Sequence, residues 1–536
     1  MSAAAVTACL LFFWSGSYAQ LPDISGSYSK APLPLQLLGT RSWIKASWQD
    51  STAGPGGFNI YWSTEKSRPA APNARVPASQ RCYYIRDVRE ETVYYVWVEP
   101  LGKGGHSGGT EGTVVTSKKW ELESGSTTEL DIPSSEAVPE GMRLFWHDEF
   151  NDSLLDRNKW CTGYYSTLDL LQKVQVDALR HNQLPQAAYV LDGRTITLFV
   201  NDSLPKRDFI HGKKISSIQT YDWSTDENLL DNSRGGYFEV RVKRTFTGRP
   251  EGLNTAFWFD SPGPDLKYYL QEGTVVEGTR GIRPKGQLFE IDVFENLNAQ
   301  FVLHGNVDQN GRFIHNLATD IAEGFEHKDR WVTHGVLWTP GSIKHYINGQ
   351  LIKAYDNRHQ LFSPDHFMNV FLGSYGKGGS VSMEVDYIRG YQWPVSASNE
   401  LPNGDFEQNA TALPWEGTGR LSETARHNGR YGWLLQPGDS IEQYVYLNND
   451  TRYSLVYYAK GKGSLHVEVD DVRPVSGELT SVLVREDKCK EDFSGAATHF
   501  RTGSAYGRNS KTVRVYFRNN GRGDVFLDDI RVFAEK

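Results

Sequence analysis

The feature that most constrains this chain is a period-two alternation of apolar and polar residues that recurs along nearly its whole length. It runs through Trp43-Ile44-Lys45-Ala46-Ser47-Trp48, Thr195-Ile196-Thr197-Leu198-Phe199-Val200, Gly236-Tyr237-Phe238-Glu239-Val240-Arg241-Val242 and Val513-Arg514-Val515-Tyr516-Phe517. Successive side chains of a strand point to opposite faces, so such runs specify half-buried strands; a helix would repeat its apolar residues every three or four positions. With 51 Gly and 23 Pro among 536 residues to supply turns, the expected class is all-β. The charge balance, 57 basic against 65 acidic residues for a net of −8, argues against nucleic acid as the main partner. Beyond the N-terminus no stretch approaches the roughly 20 consecutive apolar residues of a membrane-spanning helix.

The N-terminal run Ala3 to Trp14 is apolar, too short to span a bilayer, and ends in the small residues Ser15-Gly16-Ser17-Tyr18-Ala19. It is expected to be an export signal, 1–19, cleaved before Gln20, which implies a secreted, periplasmic or cell-surface protein. Three cysteines remain, Cys82, Cys161 and Cys489. Each falls in a different expected domain, so no domain can staple itself with a disulfide, and no Cys/His spacing suggests zinc.

Short alternating strands over 33–117 predict a two-sheet, immunoglobulin-like sandwich. Its end, Tyr94-Tyr95-Val96-Trp97-Val98 before Gly104-Gly105, resembles a fibronectin type III domain. Residues 119–141 are polar and aperiodic, a linker. The block 142–394 is the length of one large jelly roll, and the last 140 or so residues, 399–536, alternate again after a Ser-rich break at Val395-Ser396-Ala397-Ser398-Asn399.

The sharpest local feature is Phe289-Glu290-Ile291-Asp292-Val293-Phe294-Glu295. In a strand Glu290 and Asp292 share one face, while Glu295 has the wrong parity. One extra residue, a β-bulge, restores it and lines three acids on one face, where like charges repel and need a reason to be together. Paired carboxyl groups in unlike environments can divide the work of glycoside cleavage between an ionised nucleophile and a protonated acid. The E-x-D-x-x-E spacing alone arises by chance in roughly one of ten chains this long.

Several further motifs stand in order around it: Trp146-His147-Asp148-Glu149-Phe150, Asn254-Thr255-Ala256-Phe257-Trp258, His334-Gly335-Val336-Leu337-Trp338 and Val385-Asp386-Tyr387-Ile388-Arg389. With the acidic strand they resemble glycoside hydrolase family 16, across essentially the whole 142–394 block. The resemblance implies a concanavalin-like jelly roll that hydrolyses a β-linked polysaccharide internally and with retention. It implies Glu290 as nucleophile, Asp292 as its assistant and Glu295 as acid/base, with no cofactor and no metal in the catalytic site. The bulged spacing is similar to that of the laminarinase, agarase, porphyranase and carrageenase branches.

Substrate binding is expected from Asn254, Trp258, His304 and Arg283. Trp258 can stack on a sugar ring or belong to the core, and His304, nine residues past Glu295, can line the cleft or be structural. Where laminarinases of the family carry a Trp-Pro and small residues, this chain has Arg280-Gly281-Ile282-Arg283-Pro284-Lys285. Those cations can meet sulfate or carboxylate groups or form an ordinary solvated loop; the pairs Lys206-Arg207 and Lys213-Lys214 leave the same two readings. The substrate expected is an algal, possibly sulfated galactan such as agar, porphyran or carrageenan. The alternatives are a β-1,3-glucan or, with catalysis lost, a lectin-like binder.

The ends of the last block, Asn403-Gly404-Asp405-Phe406-Glu407 and Val525-Phe526-Leu527-Asp528-Asp529-Ile530, resemble a carbohydrate-binding module of the galactose-binding-like jelly-roll type. That likeness implies a possible structural Ca2+ on Asp405, Glu407 and Asp529. Trp415 and Trp433 are candidates for sugar contact or for core.

Overall fold

The structure is a computed structural model. It describes residues 35–535 apart from 40–42, 49–56, 79, 81, 87, 90–91, 102–109, 116–136, 167–184, 207–211, 223–226, 248–251, 262–274, 277–278, 281–287, 298–299, 305–315, 322–327, 357–360, 362, 474–476 and 504–509. The expected export signal, most of the expected linker and the Arg283 loop lie outside the described residues.

The architecture is all-β: three consecutive stretches each form a pair of main sheets, with every pairing between named strands antiparallel. In the first, Leu35–Gly39, Trp43–Trp48 and Cys82–Arg86 make one sheet, and Ala74–Val76, Phe58–Ser63, Val93–Pro100 and Thr110–Val115 the other. Their inward positions, among them Ile44, Trp48, Phe58, Ile60 and Val96, share one buried cluster.

The middle stretch sets the site. One sheet runs in the order Gln350–Tyr355, Ser342–Ile347, Trp331–Thr339, Gly236–Thr247, Ser380–Gln392, Ile196–Val200, Tyr189–Leu191, with Arg143–Asp148 also paired to Ser380–Gln392. The facing sheet runs Lys214–Gln219, Asn369–Gly376, Asn254–Asp260, Glu290–Glu295, Gln300–His304, Asn316–Ile321. Phe238, Val240 and Val242 from the first sheet pack with Phe257, Phe259, Ile291, Val293 and Phe294 from the second in a single core. Burying an aromatic or aliphatic side chain of this kind contributes about 1.5–3 kcal/mol. That is why the alternation of the Gly236–Thr247 strand fixes its facing: a one-residue slip would turn this whole set outward.

The motifs that stand around the acidic strand serve this framework. Trp160 Nε1 donates to Asp148 Oδ2 at 2.7 Å and the Phe150 amide to its Oδ1 at 2.9 Å, while Arg389 grips Glu149 with two bonds of 2.9 and 2.7 Å.

The last stretch pairs a sheet through Ser440–Asn448, Ser510–Asn519 and Ser464–Val472 with one through Gly432–Leu435, Val525–Ala534 and Arg452–Gly461. It is tied to the middle stretch at Glu140, whose carboxylate accepts from the Ala410 amide (3.1 Å) and the Thr411 hydroxyl (2.9 Å). Trp415 and Trp433 are both buried, packed on Phe406 and with their indole N–H groups donated to the carbonyls of Asn403 and Thr418. Of the two readings open for them the core one is correct; an indole with both its rings and its N–H so engaged offers a sugar no face. Cys161 and Cys489 are free thiols, pushed up in pKa by burial.

Candidate active site

The bulge anticipated from parity is present. On one side Asp292 pairs with Val302 and Glu295 with Gln300, so three steps along the acidic strand match two along its neighbour. On the other side the register slips between Phe257, opposite Phe294, and Trp258, opposite Asp292. The extra residue lets Val293 and Phe294 both point into the core and returns Glu295 to the face of Glu290 and Asp292. All three acids line one cleft of about 340 Å³ with Tyr164, Ser166, Lys213, Gly252, Asn254, Ala256, Trp258, Asn296 and Tyr375.

The three carboxyl groups sit in different environments. Glu290 and Asp292 are buried, and His304 Nε2 lies 3.1 Å from Asp292 Oδ2 and 3.8 Å from Glu290 Oε1. Burial, reinforced by the charges of Glu295 and Asp260, raises the Asp292 carboxyl well above the usual range. Glu295 is also raised by burial, an effect opposed by the positive charges of His304 and Lys213. Crowded carboxyls cannot all ionise at once, and the two whose pKa is raised, Asp292 and Glu295, are the ones inclined to hold a proton. Ligand atoms of Glu290, Asp292 and His304 lie within 4.8 Å of one another, the one group of that kind among the described residues. A cation held there would occupy the carboxylate oxygens that the chemistry below needs.

A second layer fixes the acidic strand's end, and sequence reasoning missed it. Gln300 Nε2 donates to Glu295 Oε1 at 2.9 Å, and Asn296 Nδ2 donates to Gln300 Oε1 at 3.1 Å. Asn296 has φ +61°, a left-handed conformation that Asn tolerates better than most residues. Its amide is donated to Asn254 Oδ1, and its carbonyl accepts from Arg244 at 3.2 Å and from the Thr255 hydroxyl at 3.3 Å. Arg244 is 2% exposed, with its guanidinium 4.8 Å over the Phe294 ring, and burial depresses its pKa to about 10. Asn254 therefore lines the cleft while holding the turn after Glu295. An Arg in a strand reads from sequence as a solvated face, and only the sheet pairing reveals what it reaches.

Trp258 satisfies parts of both readings left open for it. It lines the cleft, yet it is 6% exposed, stacked on Phe371 at 4.0 Å, with its indole N–H donated to Tyr375 Oη at 3.1 Å. Lys213 and Lys214 part company: Lys214 is buried, its ammonium on the Asn201 carbonyl at 2.7 Å, whereas Lys213 lines the cleft.

The acids proposed for calcium, Asp405, Glu407 and Asp529, border one cavity with Arg531, but protein donors already occupy two of them. Glu407 accepts the amides of Arg430 and Tyr431, both at 2.6 Å. Asp529 takes His427 Nδ1 and Asn428 Nδ2, both at 2.6 Å, and lies 3.5 Å from Arg531. A cation there would have to displace these donors, so the donor set does not fit the ion.

An all-β sandwich whose cleft is floored by a row of unlike carboxyls is the arrangement of a glycoside hydrolase. Residues 231–389 match the family model of glycosyl hydrolases family 16, and this stretch of the chain is a member of that family. The keratan-sulfate endo-1,4-beta-galactosidase of Sphingobacterium multivorum is 24% identical over 416 residues, 72% of this chain and 85% of that one. The glucan endo-1,3-beta-glucosidase A1 of Niallia circulans is 24% identical over 294 residues, 49% of this chain and 39% of that one. Among solved structures, a GlcNAcα1-4Gal-releasing endo-β-galactosidase from Clostridium perfringens aligns with a TM-score of 0.35 at 19% identity, over 57% of this chain and 82% of that one.

Proposed function

We propose that this glycoside hydrolase cleaves a β-linked galactan internally and with retention of configuration. The observation that carries the reading is the bulged strand, which presents Glu290, Asp292 and Glu295 to one cleft. Glu290 is the nucleophile and attacks the anomeric carbon. Glu295, whose pKa burial raises, protonates the departing glycosidic oxygen and then, as a carboxylate, takes a proton from the water that hydrolyses the glycosyl-enzyme. Asp292, inclined to hold a proton, stabilises the ionised Glu290 by sharing it, and His304 orients both. The catalytic unit would span 142–394, between an immunoglobulin-like sandwich over 33–117 and a carbohydrate-binding module over 399–536, in an exported protein.

A β-galactoside is favoured by the relative that spans 85% of its own length in the match, an endo-β-galactosidase. A β-1,3-glucan, the substrate class of the second relative's name, is the other reading. Product sizing on agarose, porphyran, carrageenans, keratan sulfate and laminarin separates them. A ladder of oligosaccharides from a galactan, abolished by Glu290→Gln, is expected; a ladder from laminarin alone would replace the galactan reading.

A further inference from the structure

The outer face of the Ser440–Asn448 strand carries a side chain that its own sandwich does not use. Ile441, Gln443, Val445 and Leu447 turn inward and are buried, while Glu442 and Tyr444 are half-buried on the other face. Tyr446 has the parity of Glu442 and Tyr444, yet it is only 5% exposed and lies outside the core of the last stretch. The middle stretch encloses it. Its phenol oxygen is shut off from solvent and faces the Trp338 indole, the Ser363 hydroxyl and the Asp365 carboxyl. Tyr446 is thus a side chain of the last stretch seated in the end of the catalytic sandwich.

What it meets there is a polar segment in an apolar place. Ser363, Asp365 and His366 are each at most 4% exposed, between the strands Gln350–Tyr355 and Asn369–Gly376. The segment is pinned at two points: Trp338 Nε1 donates to the Pro364 carbonyl at 3.0 Å, and the Asn232 side chain clamps the amide and carbonyl of Met368 at 2.7 and 2.9 Å. Burying polar groups costs free energy, so an apolar segment would seal this seam more stably. From here His366 Nε2 reaches Ser261 Oγ at 2.8 Å. Ser261 follows Asp260, the residue paired with Glu290, and its amide donates to the Phe289 carbonyl at 2.6 Å. Phe289 is the residue before Glu290. One segment therefore meets Tyr446 on one side and, through Ser261, the main chain that carries Glu290 on the other.

We propose that Tyr446 is a positioning residue that the last stretch supplies to the active site: it braces Ser363–His366, and with it the Ser261 contact that sets Glu290 against the anomeric carbon. The proposal rests on the reading of Glu290 as nucleophile and goes beyond it, because it makes a residue outside 142–394 part of the catalytic unit. A module that only brings an enzyme to its polymer acts on KM for long chains. A brace behind the nucleophile acts on kcat whatever the length of the substrate, since a small displacement of a reacting group is enough to slow the chemical step.

The test uses the full chain as wild type, Tyr446→Phe, Tyr446→Ala, Ser261→Ala and the double variant of the two alanines. Each is assayed on the polysaccharide that wild type cuts best and on the shortest soluble oligosaccharide of it that is still cut. Values of kcat are expressed per folded molecule, the folded fraction being read from thermal unfolding. Tyr446→Ala is expected to lower kcat about tenfold on both substrates, with KM within about twofold. Tyr446→Phe, which fills the same space, should recover most of that loss. Ser261→Ala keeps its amide bond to Phe289 and should lose kcat to a similar extent. The double variant should fall no further than the worse single one, since both act through His366. An unchanged kcat in Tyr446→Ala, a loss confined to KM on the long polymer, or losses that multiply in the double variant would overturn the proposal. Glu290→Gln runs beside them: if it still hydrolyses, the catalytic reading fails whatever Tyr446 does.

Discussion

His304 Nε2 lies 3.1 Å from Asp292 Oδ2 and reaches Glu290 Oε1 at 3.8 Å, so one imidazole edge serves both inner carboxyls of the acidic strand. The contact crosses from Gln300–His304, where His304 pairs directly with Glu290. It gives Asp292 a fixed orientation although burial has raised its pKa. In Asp292→Asn the hydrogen bonding survives but the transferable proton does not. We expect kcat to fall about 100-fold, in the range of a lost proton-transfer partner, while KM changes little. Steady-state kinetics on the preferred polysaccharide measure this; a loss confined to KM would assign Asp292 to binding.

The acid step imposes a pH limit. In the proposed mechanism Glu295 must hold its proton to release the leaving group, and burial raises its pKa above the ordinary 4.5. Activity should therefore persist above the normal carboxylate range and fall when Glu295 ionises. Lys213 favours the ionised form, so Lys213→Met should move the basic limb of kcat/KM to higher pH. A limb displaced downward would contradict this placement of the two charges.

Arg244 supports the turn from beneath without touching the cleft. Removing it takes a charged donor from the Asn296 carbonyl and the Thr255 hydroxyl, which receive its guanidinium at 3.2 and 3.3 Å and are left with their bond to each other. A hydrogen bond from a charged group contributes about 1.5–3 kcal/mol. Arg244→Leu is expected to lower the unfolding free energy by that order and to reduce kcat by loosening Glu295, with Arg244→Lys restoring part of each. Denaturant unfolding beside kinetics tests it, and a variant of full stability and reduced kcat would show that the residue acts on the site alone.

His345 makes the catalytic sandwich sensitive to acid. It is fully buried, stacked on Phe301 at 4.5 Å, and burial lowers its pKa to about 4. The unfolded chain binds a proton near the ordinary 6.5, so between 6.5 and 4 the unfolded state holds more protons and stability rises with pH. The contribution is complete above 6.5 and is lost as pH falls toward 4, about 3 kcal/mol in all at 1.36 kcal/mol per pH unit. His345→Phe should flatten this part of the stability profile relative to wild type. Denaturant unfolding at pH 7 and 4.5 reads the difference; equal slopes for both proteins would mean the imidazole is solvated.

Much of this was legible in the chain. Alternation specifies facing, so the strands and the core face of Gly236–Thr247 follow from the residues, and the odd parity of Glu295 calls for the bulge that the register contains. Contacts made across strands were less legible. Arg244 and Gln300 reach the acids only through sheet pairing, and Asn296 takes its role from a left-handed φ. Lys213 and Lys214 are indistinguishable in sequence but take opposite faces. Trp415 and Trp433 resembled sugar platforms because an indole suits core and ligand equally well; burial alone decides between them.

The central claim, that Glu290 attacks the anomeric carbon in a retaining reaction, is tested most directly by azide rescue of Glu290→Ala. The truncated side chain leaves room for a small anion on the nucleophile's side of the sugar. The account predicts that Glu290→Ala does not hydrolyse polysaccharide, that azide restores cleavage, and that the product seen by NMR is the inverted α-glycosyl azide, while wild type releases β-anomers first. Hydrolysis by Glu290→Ala without azide, or α-anomers from wild type, would contradict it.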